Sequence, residues 1–173
     1  AVVALTWTSP SNGGTPITGY VVTTSPAVGS CASATASSNS ITCTGLTNGT
    51  TYTFTVSAVN QAGTSAAATA SSTPRTVPGT PTSLAGTPGN ASVTLTWLAP
   101  TSNGGASVTG YKVTTTPAIG TCNGATFTQT SVTCSGLTNG TSYSFTVAAV
   151  NSAGAGAPTT AVSATPRTVP SAP

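Results

Sequence analysis

Four cysteines and three cations are the reactive side chains of this 173-residue chain. The cysteines are Cys31, Cys43, Cys122 and Cys134, and the cations are Arg75, Lys112 and Arg167. The sequence contains no Asp, no Glu and no His. Sulfur chemistry is therefore the first chemistry to consider.

The missing acids and imidazoles exclude most catalytic and metal sites. General acid–base catalysis, serine-type triads and paired glycosidase carboxylates all need side chains that this sequence lacks. Calcium prefers carboxylate oxygens, and zinc needs clustered histidines or thiolates. We therefore expect a chain that is not an enzyme and that binds no cofactor and no metal.

The net charge of +3 is too small for nucleic-acid binding. Useful affinity comes from neutralising roughly six to ten phosphates, and three scattered cations cannot do so. No apolar run approaches the roughly 18 residues of a membrane-spanning helix. We expect neither nucleic-acid binding nor membrane insertion.

An internal repeat predicts the domain organisation. The stretch VALTWTSPSNGGTPITGYVVTT returns as VTLTWLAPTSNGGASVTGYKVTT, which places Trp7 and Trp97 90 residues apart. A period of this size is a whole domain and not a solenoid turn. The predicted parts are a module of residues 1–74, a Pro-rich linker of residues 75–81, a module of residues 82–166 and a Pro-rich tail of residues 167–173.

Apolar residues alternate with Thr or Ser within each module, as Tyr52, Phe54 and Val56 do with Thr53 and Thr55. This period of two is typical of half-buried β-strands. Turn signals recur about every eight to twelve residues, a spacing typical of a β-sandwich. The fold class is therefore all-β, and the two tryptophans, Trp7 and Trp97, are expected at the centres of the two cores.

Both modules contain LTW followed by a proline, GGxxxTGY, and GLTNGTxYxFTVxAVNxAG. In this combination of motifs each module resembles a bacterial-type fibronectin type III domain. The resemblance implies an immunoglobulin-like sandwich of seven strands in two sheets. It also implies a tyrosine corner, in which Leu46 accompanies Tyr52 and Leu137 accompanies Tyr143, and the phenol hydroxyl bonds to upstream backbone.

The cysteine spacing indicates structural disulfides. Of the three connectivities that four cysteines allow, the simplest joins Cys31 to Cys43 and Cys122 to Cys134. Each bridge would tie the C′ region of a module to its strand E. Since such disulfides persist in oxidising compartments, we expect a secreted protein, extracellular or on the cell surface.

Three asparagines, Asn48, Asn90 and Asn139, lie in N-x-S/T triplets. In a secreted protein these triplets are glycan acceptors. The alternative, which we favour for NGT, is a tight turn, because Asn and Gly tolerate positive φ. Glycans on these sites, or on the 40 Thr and 23 Ser of the sequence, are the other partners that the sequence suggests.

The two modules differ at their first strand. Residues 83–86 are predicted to form strand A of the second module, and the first module has no counterpart before its strand B. Either the chain is a window of a longer array, or the tail of a neighbouring copy completes the vacant edge by strand addition. That predicted assembly tail consists of Arg167, Thr168, Val169, Pro170, Ser171, Ala172 and Pro173.

Nearly uncharged sheet edges favour association, because natural sandwiches keep edges apart with charged residues. The sequence therefore predicts an extracellular structural protein whose partners are copies of itself, a self-assembling subunit of a filament, fibre or surface array. The first alternative is a spacer or adhesive module of a larger cell-surface protein or secreted polysaccharide-degrading enzyme. The second alternative is a carbohydrate-binding module.

Overall fold

The computed structural model describes residues 1–170, and its regular structure there is entirely β. The chain divides into two compact units between Arg75 and Thr76. Below, module 1 is residues 1–75 and module 2 is residues 76–170. The expected all-β class, with two tandem sandwiches, is confirmed.

Module 1 has seven strands in two antiparallel sheets. They are β1 (Val3–Thr6), β2 (Ile17–Ser25), β3 (Ala34–Ala36), β4 (Ser40–Cys43), β5 (Tyr52–Asn60), β6 (Gly63–Thr64) and β7 (Ala68–Ser72). One sheet pairs β1 with β4. The other has the order β3-β2-β5-β6, and β7 also pairs with β5.

Module 2 repeats this arrangement and has one more strand. Its strands are β8 (Thr82–Gly89), β9 (Ser92–Leu98), β10 (Gly110–Thr116), β11 (Thr126–Phe127), β12 (Ser131–Ser135), β13 (Tyr143–Asn151), β14 (Gly154–Ala155) and β15 (Val162–Ala164). The sheets are β12-β9-β8 and β11-β10-β13-β14, with β15 also pairing with β13. The additional strand, β8, is the strand A expected around residues 83–86.

Alternation along each long strand builds the core. In β13 the side chains of Tyr143, Phe145, Val147 and Ala149 are buried, and the Ser, Thr and Ala residues between them are half-buried. The core of module 2 gathers these side chains with those of β9 and β10. The smaller core of module 1 is made by Val22, Cys31, Cys43, Leu46, Tyr52 and Phe54.

The two tryptophans have different surroundings. Trp97 is 3% exposed, and its ring meets Tyr111 edge-on with 5.4 Å between the ring centroids. Trp7 meets Tyr20 in the same way, at 5.2 Å, but is only half-buried at the margin of its core. In module 2 strand β8 lies beside β9, the strand that contains Trp97. Among the described residues β1, which leads to Trp7, has no such neighbour, and this leaves Trp7 more exposed.

Candidate functional site

The four cysteines form one disulfide in each module. The Cα atoms of Cys31 and Cys43 are 5.3 Å apart, and those of Cys122 and Cys134 are 5.1 Å apart. Each bridge joins the turn after the long strand β2 or β10 to the strand β4 or β12. The predicted pairing is confirmed, and no cysteine is left free.

The two motif tyrosines, Tyr52 and Tyr143, make the same backbone contact. The amide of Thr47 donates to the Tyr52 phenol oxygen over 3.0 Å, and the amide of Thr138 donates to that of Tyr143 over 3.0 Å. The preceding leucines, Leu46 and Leu137, are each 4% exposed. These bonds fix the crossing from one sheet to the other, which is the geometry of a tyrosine corner.

The asparagines of the N-x-S/T triplets lie in turns. The Asn139 Oδ1 accepts from the Ala91 amide over 2.8 Å, and its Nδ2 donates to the Asn90 Oδ1 over 2.8 Å. Asn139 and Asn90 therefore hold two turns of module 2 together. Asn48 lies half-buried in the equivalent turn of module 1, and glycosylation of the three stays a prediction.

No constellation for acid–base or metal chemistry occurs in the part of the chain that the structure describes. Groups of three or more His, Cys, Asp or Glu side chains are absent from residues 1–170. Arg75, Lys112 and Arg167 are exposed. The candidate sites are therefore surfaces that could receive another polypeptide.

The outer edge of β1 is the first such surface. In module 2 the equivalent strand β9 lies between β12 and β8, and its Val93 and Leu95 are fully buried. Among the described residues β1 pairs with β4 alone, and its Val3 and Leu5 are half-buried. An apolar edge with free backbone groups is thus open to a further strand.

The second surface is a groove that is filled in module 2 and open in module 1. In module 2 it holds residues 76–81, which we call the docked segment. The Thr76 amide donates to the Gly104 carbonyl over 2.8 Å, and the Asn151 Nδ2 donates to the Thr76 carbonyl over 2.9 Å. The Gly79 amide donates to the Ser102 carbonyl over 2.9 Å. Pro78 and Pro81 are buried, so residues that the sequence suggests as linker lie against module 2.

Two glycines allow the backbone of the docked segment to approach closely. A Cβ at Gly104, where φ is +71°, would lie 2.2 Å from the Thr76 carbonyl oxygen. A Cβ at Gly156 would lie 2.2 Å from the Pro78 carbonyl oxygen. Both distances are shorter than real Cβ contacts, so side chains at these positions would displace the segment.

Module 1 presents the equivalent groove without an occupant among the described residues. This open groove is a cavity of about 270 Å³ whose lining includes Pro10, Ser11, Gly13, Asn60, Gly63 and Ser65. It adjoins a cavity of about 330 Å³ beside Trp7 and Tyr20. Nothing lies within 4 Å of a Cβ placed on Gly13 or Gly63.

The predicted assembly tail is described as far as Pro170. The Arg167 amide donates to the Gly89 carbonyl over 3.0 Å, which holds that residue to module 2. Thr168, Val169 and Pro170 are exposed, and Val169 is 82% exposed. Ser171, Ala172 and Pro173 lie outside the described residues.

The described residues contain no helix long and apolar enough to cross a membrane.

Paired antiparallel sheets, joined by a tyrosine corner in each module, define a tandem immunoglobulin-like β-sandwich protein. The family model of the fibronectin type III domain matches residues 1–75 and 79–165. The chain belongs to this family, as the motifs suggest.

Two similar proteins are much longer than this chain. Chitinase A1 of Niallia circulans is 39% identical over 162 residues, covering 88% of this chain and 22% of that protein. Endoglucanase B of Cellulomonas fimi is 34% identical over 161 residues, covering 87% of this chain and 15% of that protein. The chain therefore spans less than a quarter of either relative.

A solved structure shows the same fold. Domains A168–A170 of titin align with a TM-score of 0.56 at 22% identity, over 97% of this chain and 55% of that one.

Proposed function

We propose that this chain is a non-catalytic tandem spacer of a larger extracellular protein. The observation that carries the proposal is that similar stretches form only 22% of a chitinase and 15% of an endoglucanase. In such a protein the two modules would set a distance between parts that carry other functions. This is the role of an accessory domain and needs no reactive group.

The internal construction of each module supports a spacer. Each module has its own disulfide and its own tyrosine corner, so each is closed independently of the other. With only 2% charged residues, the surface is covered by hydroxyl groups and offers no charged site for a ligand. Extracellular placement is supported by the disulfides, because cytosolic reductants keep most thiols reduced.

Detection of the native polypeptide tests this function. Antibodies against the 173-residue chain would be applied to secreted and cell-surface fractions of the source organism after reduction. A spacer is expected as part of a polypeptide far heavier than the 16.5 kDa of this chain. A single reactive species of 16.5 kDa would contradict the proposal.

Pelleting with insoluble polysaccharide separates the spacer from the carbohydrate-binding alternative. The chain is mixed with chitin or with cellulose, and the free fraction is measured after centrifugation, with an inert resin as the control solid. A spacer stays in the supernatant in all three cases. Enrichment on chitin or cellulose over the resin would support the carbohydrate-binding alternative instead.

A self-assembling subunit of a filament or surface array is the second candidate, and the open edge of β1 favours it. A strand with free backbone groups on one side, in an almost uncharged sheet, has little to prevent pairing with another chain. Electron microscopy of the concentrated chain tests this candidate. Ordered fibres support it, and dispersed single particles at every concentration contradict it.

A further inference from the structure

We propose that the open groove of module 1 receives residues 168–173 of a second copy of this chain. The inference rests on the second candidate function and names the contact through which copies would join. It follows from a comparison of the two modules, because module 2 shows what fills this groove.

The occupant of the groove in module 2 has nearly the same sequence as the proposed occupant in module 1. The docked segment reads TVPGTP in residues 76–81, and the proposed segment reads TVPSAP in residues 168–173. Both follow the same phrase, TPR. Val77 in the docked segment is 38% exposed, whereas Val169 is 82% exposed, so the second TVP has the side chains of the first without its contacts.

The groove in module 1 keeps most of the groups that hold the docked segment. Ser11 and Gly13 stand where Ser102 and Gly104 accept hydrogen bonds from the segment in module 2. Their carbonyl groups accept no hydrogen bond from the described residues.

The amide of Asn60 also corresponds to a group that binds the docked segment. The Asn60 Nδ2 donates to the Asn12 carbonyl over 2.8 Å and to that of Thr15 over 3.3 Å. The Asn151 Nδ2 donates instead to the carbonyls of Asn103 and Thr76, over 2.8 and 2.9 Å. An incoming Thr168 carbonyl would replace Thr15 as the second acceptor.

One residue of the groove differs in a way that sets the depth of docking. Ser65 in module 1 stands where module 2 has Gly156, whose added Cβ would lie 2.2 Å from the Pro78 carbonyl. The segment of a second copy must therefore lie less deeply on module 1. This contact is weaker than the one within module 2, and it strengthens when residue 65 loses its side chain.

The contact is not the strand addition that the sequence suggests. In module 2 the pairing with β9 begins at Thr82, after the docked segment has ended. Residues 168–173 correspond to residues 76–81, so their place is the groove and not the edge of β1. Since the groove and the segment lie in different modules of the chain, the contact is head-to-tail, a kind that builds open chains unless a ring closes.

Sedimentation of the whole 173-residue chain over a wide concentration series tests the proposal. The average mass is expected to rise above that of one chain as the concentration rises. Val169→Asp should weaken association about threefold or more, because the carboxylate loses part of its hydration in the groove. Ser65→Gly should strengthen association several-fold, and Val28→Asp, at an exposed valine outside the groove, should leave it unchanged.

A peptide probe reads the groove directly and does not depend on assembly. The peptide RTVPSAP is titrated into the ¹⁵N-labelled chain, with a scrambled peptide as the control. The amide signals of Gly13 and Gly63 should shift, whereas those of Gly104 and Gly154, whose groove is already filled, should not. The second module is thus a control within the same molecule.

The outcomes separate this contact from the second candidate function. Association that Val169→Asp and Ser65→Gly do not change would overturn the groove contact and leave assembly by another surface. A chain that stays monomeric and shows no shift at Gly13 or Gly63 would overturn both. Circular dichroism of each variant confirms that folding is retained, which is expected because Val169 and Val28 are exposed and Gly already occupies the position of Ser65 in module 2.

Discussion

The backbone amide of Thr47 donates to the phenol oxygen of Tyr52 over 3.0 Å, five residues along the chain. The same bond joins Thr138 to Tyr143 at the same distance. In both modules the tyrosine ring is almost fully buried, at 1% exposed. A single hydrogen bond at the margin of the core thus fixes the connection between the two sheets of each sandwich.

Replacing either tyrosine by phenylalanine should destabilise its module. Tyr52→Phe and Tyr143→Phe keep the buried ring and leave the amide of Thr47 or Thr138 without its acceptor. We expect each change to lower the free energy of unfolding by about 1 kcal/mol, the usual contribution of one such bond. Guanidinium unfolding of each variant measures it, and unchanged midpoints would show that the corner does not stabilise the fold.

Removing one disulfide should destabilise the module that contains it. The pairs Cys31–Cys43 and Cys122–Cys134 close loops of equal sequence separation, twelve residues. Cys31→Ala combined with Cys43→Ala should therefore lower stability by about 3 kcal/mol, by the loop-entropy argument. The matched double variant at Cys122 and Cys134 should lose a similar amount from module 2. A loss confined to one of the two variants would refute the equivalence of the bridges.

Features that depend on residues close together in the sequence could be predicted from the sequence alone. The strand period, the cysteine spacing and the turn signals each require only a short stretch of sequence, so they predicted the strands and the bridges. The return of one long stretch around Trp97 predicted the two modules. The family resemblance added the positions of the tyrosine corners. Each of these features recurs in both modules and therefore supports the others.

Features that depend on backbone contacts between distant segments could not be predicted from the sequence. The docked segment contains two prolines, Pro78 and Pro81, and the sequence therefore suggested a Pro-rich linker there. Its attachment depends on main-chain carbonyls of Ser102 and Gly104, which any sequence provides. One sequence signal could have indicated the docking: module 2 has a glycine, Gly156, at the position where module 1 has Ser65. The partial exposure of Trp7 likewise depends on an adjacent strand and not on the tryptophan itself.

Equivalent leucines, Leu5 and Leu95, should contribute different amounts to the stability of their modules. Leu95 is fully buried on β9, which pairs with β8, and the equivalent Leu5 is half-buried on β1. We expect Leu95→Ala to destabilise module 2 by about 3 kcal/mol and Leu5→Ala to destabilise module 1 by about 1 kcal/mol, since the loss scales with burial. Chemical unfolding of the two variants measures both. Equal losses would mean that the edge of β1 is covered in solution.

Stability should vary little with pH. The slope of unfolding free energy with pH is set by the difference in protons bound by the folded and unfolded chains. No Asp, Glu or His is present to create such a difference. The melting temperature should therefore be nearly constant from roughly pH 4 to pH 8. A shift of many degrees across this window would contradict the prediction.

Substituting two equivalent glycines, Gly13 and Gly104, distinguishes the stability lost through backbone strain from the stability lost through displacement of the docked segment. Gly13 and Gly104 have φ values of +64° and +71°, but only Gly104 has carbonyl oxygens where a Cβ would be, those of Thr76 at 2.2 Å and Val77 at 2.5 Å. Gly13→Ala should lower stability by about 1 kcal/mol through strain alone. Gly104→Ala should lose about 2 kcal/mol more, because the Thr76 backbone must move.

Hydrogen exchange shows whether the larger loss comes from the docked segment. The amides of Thr76 and Gly79, which donate to Gly104 and Ser102, should lose protection in Gly104→Ala and keep it in Gly13→Ala. If the two variants lose equal stability and these amides exchange rapidly in the unaltered chain, the segment is not held in its groove. The groove in module 1 would then have no counterpart from which to infer an occupant.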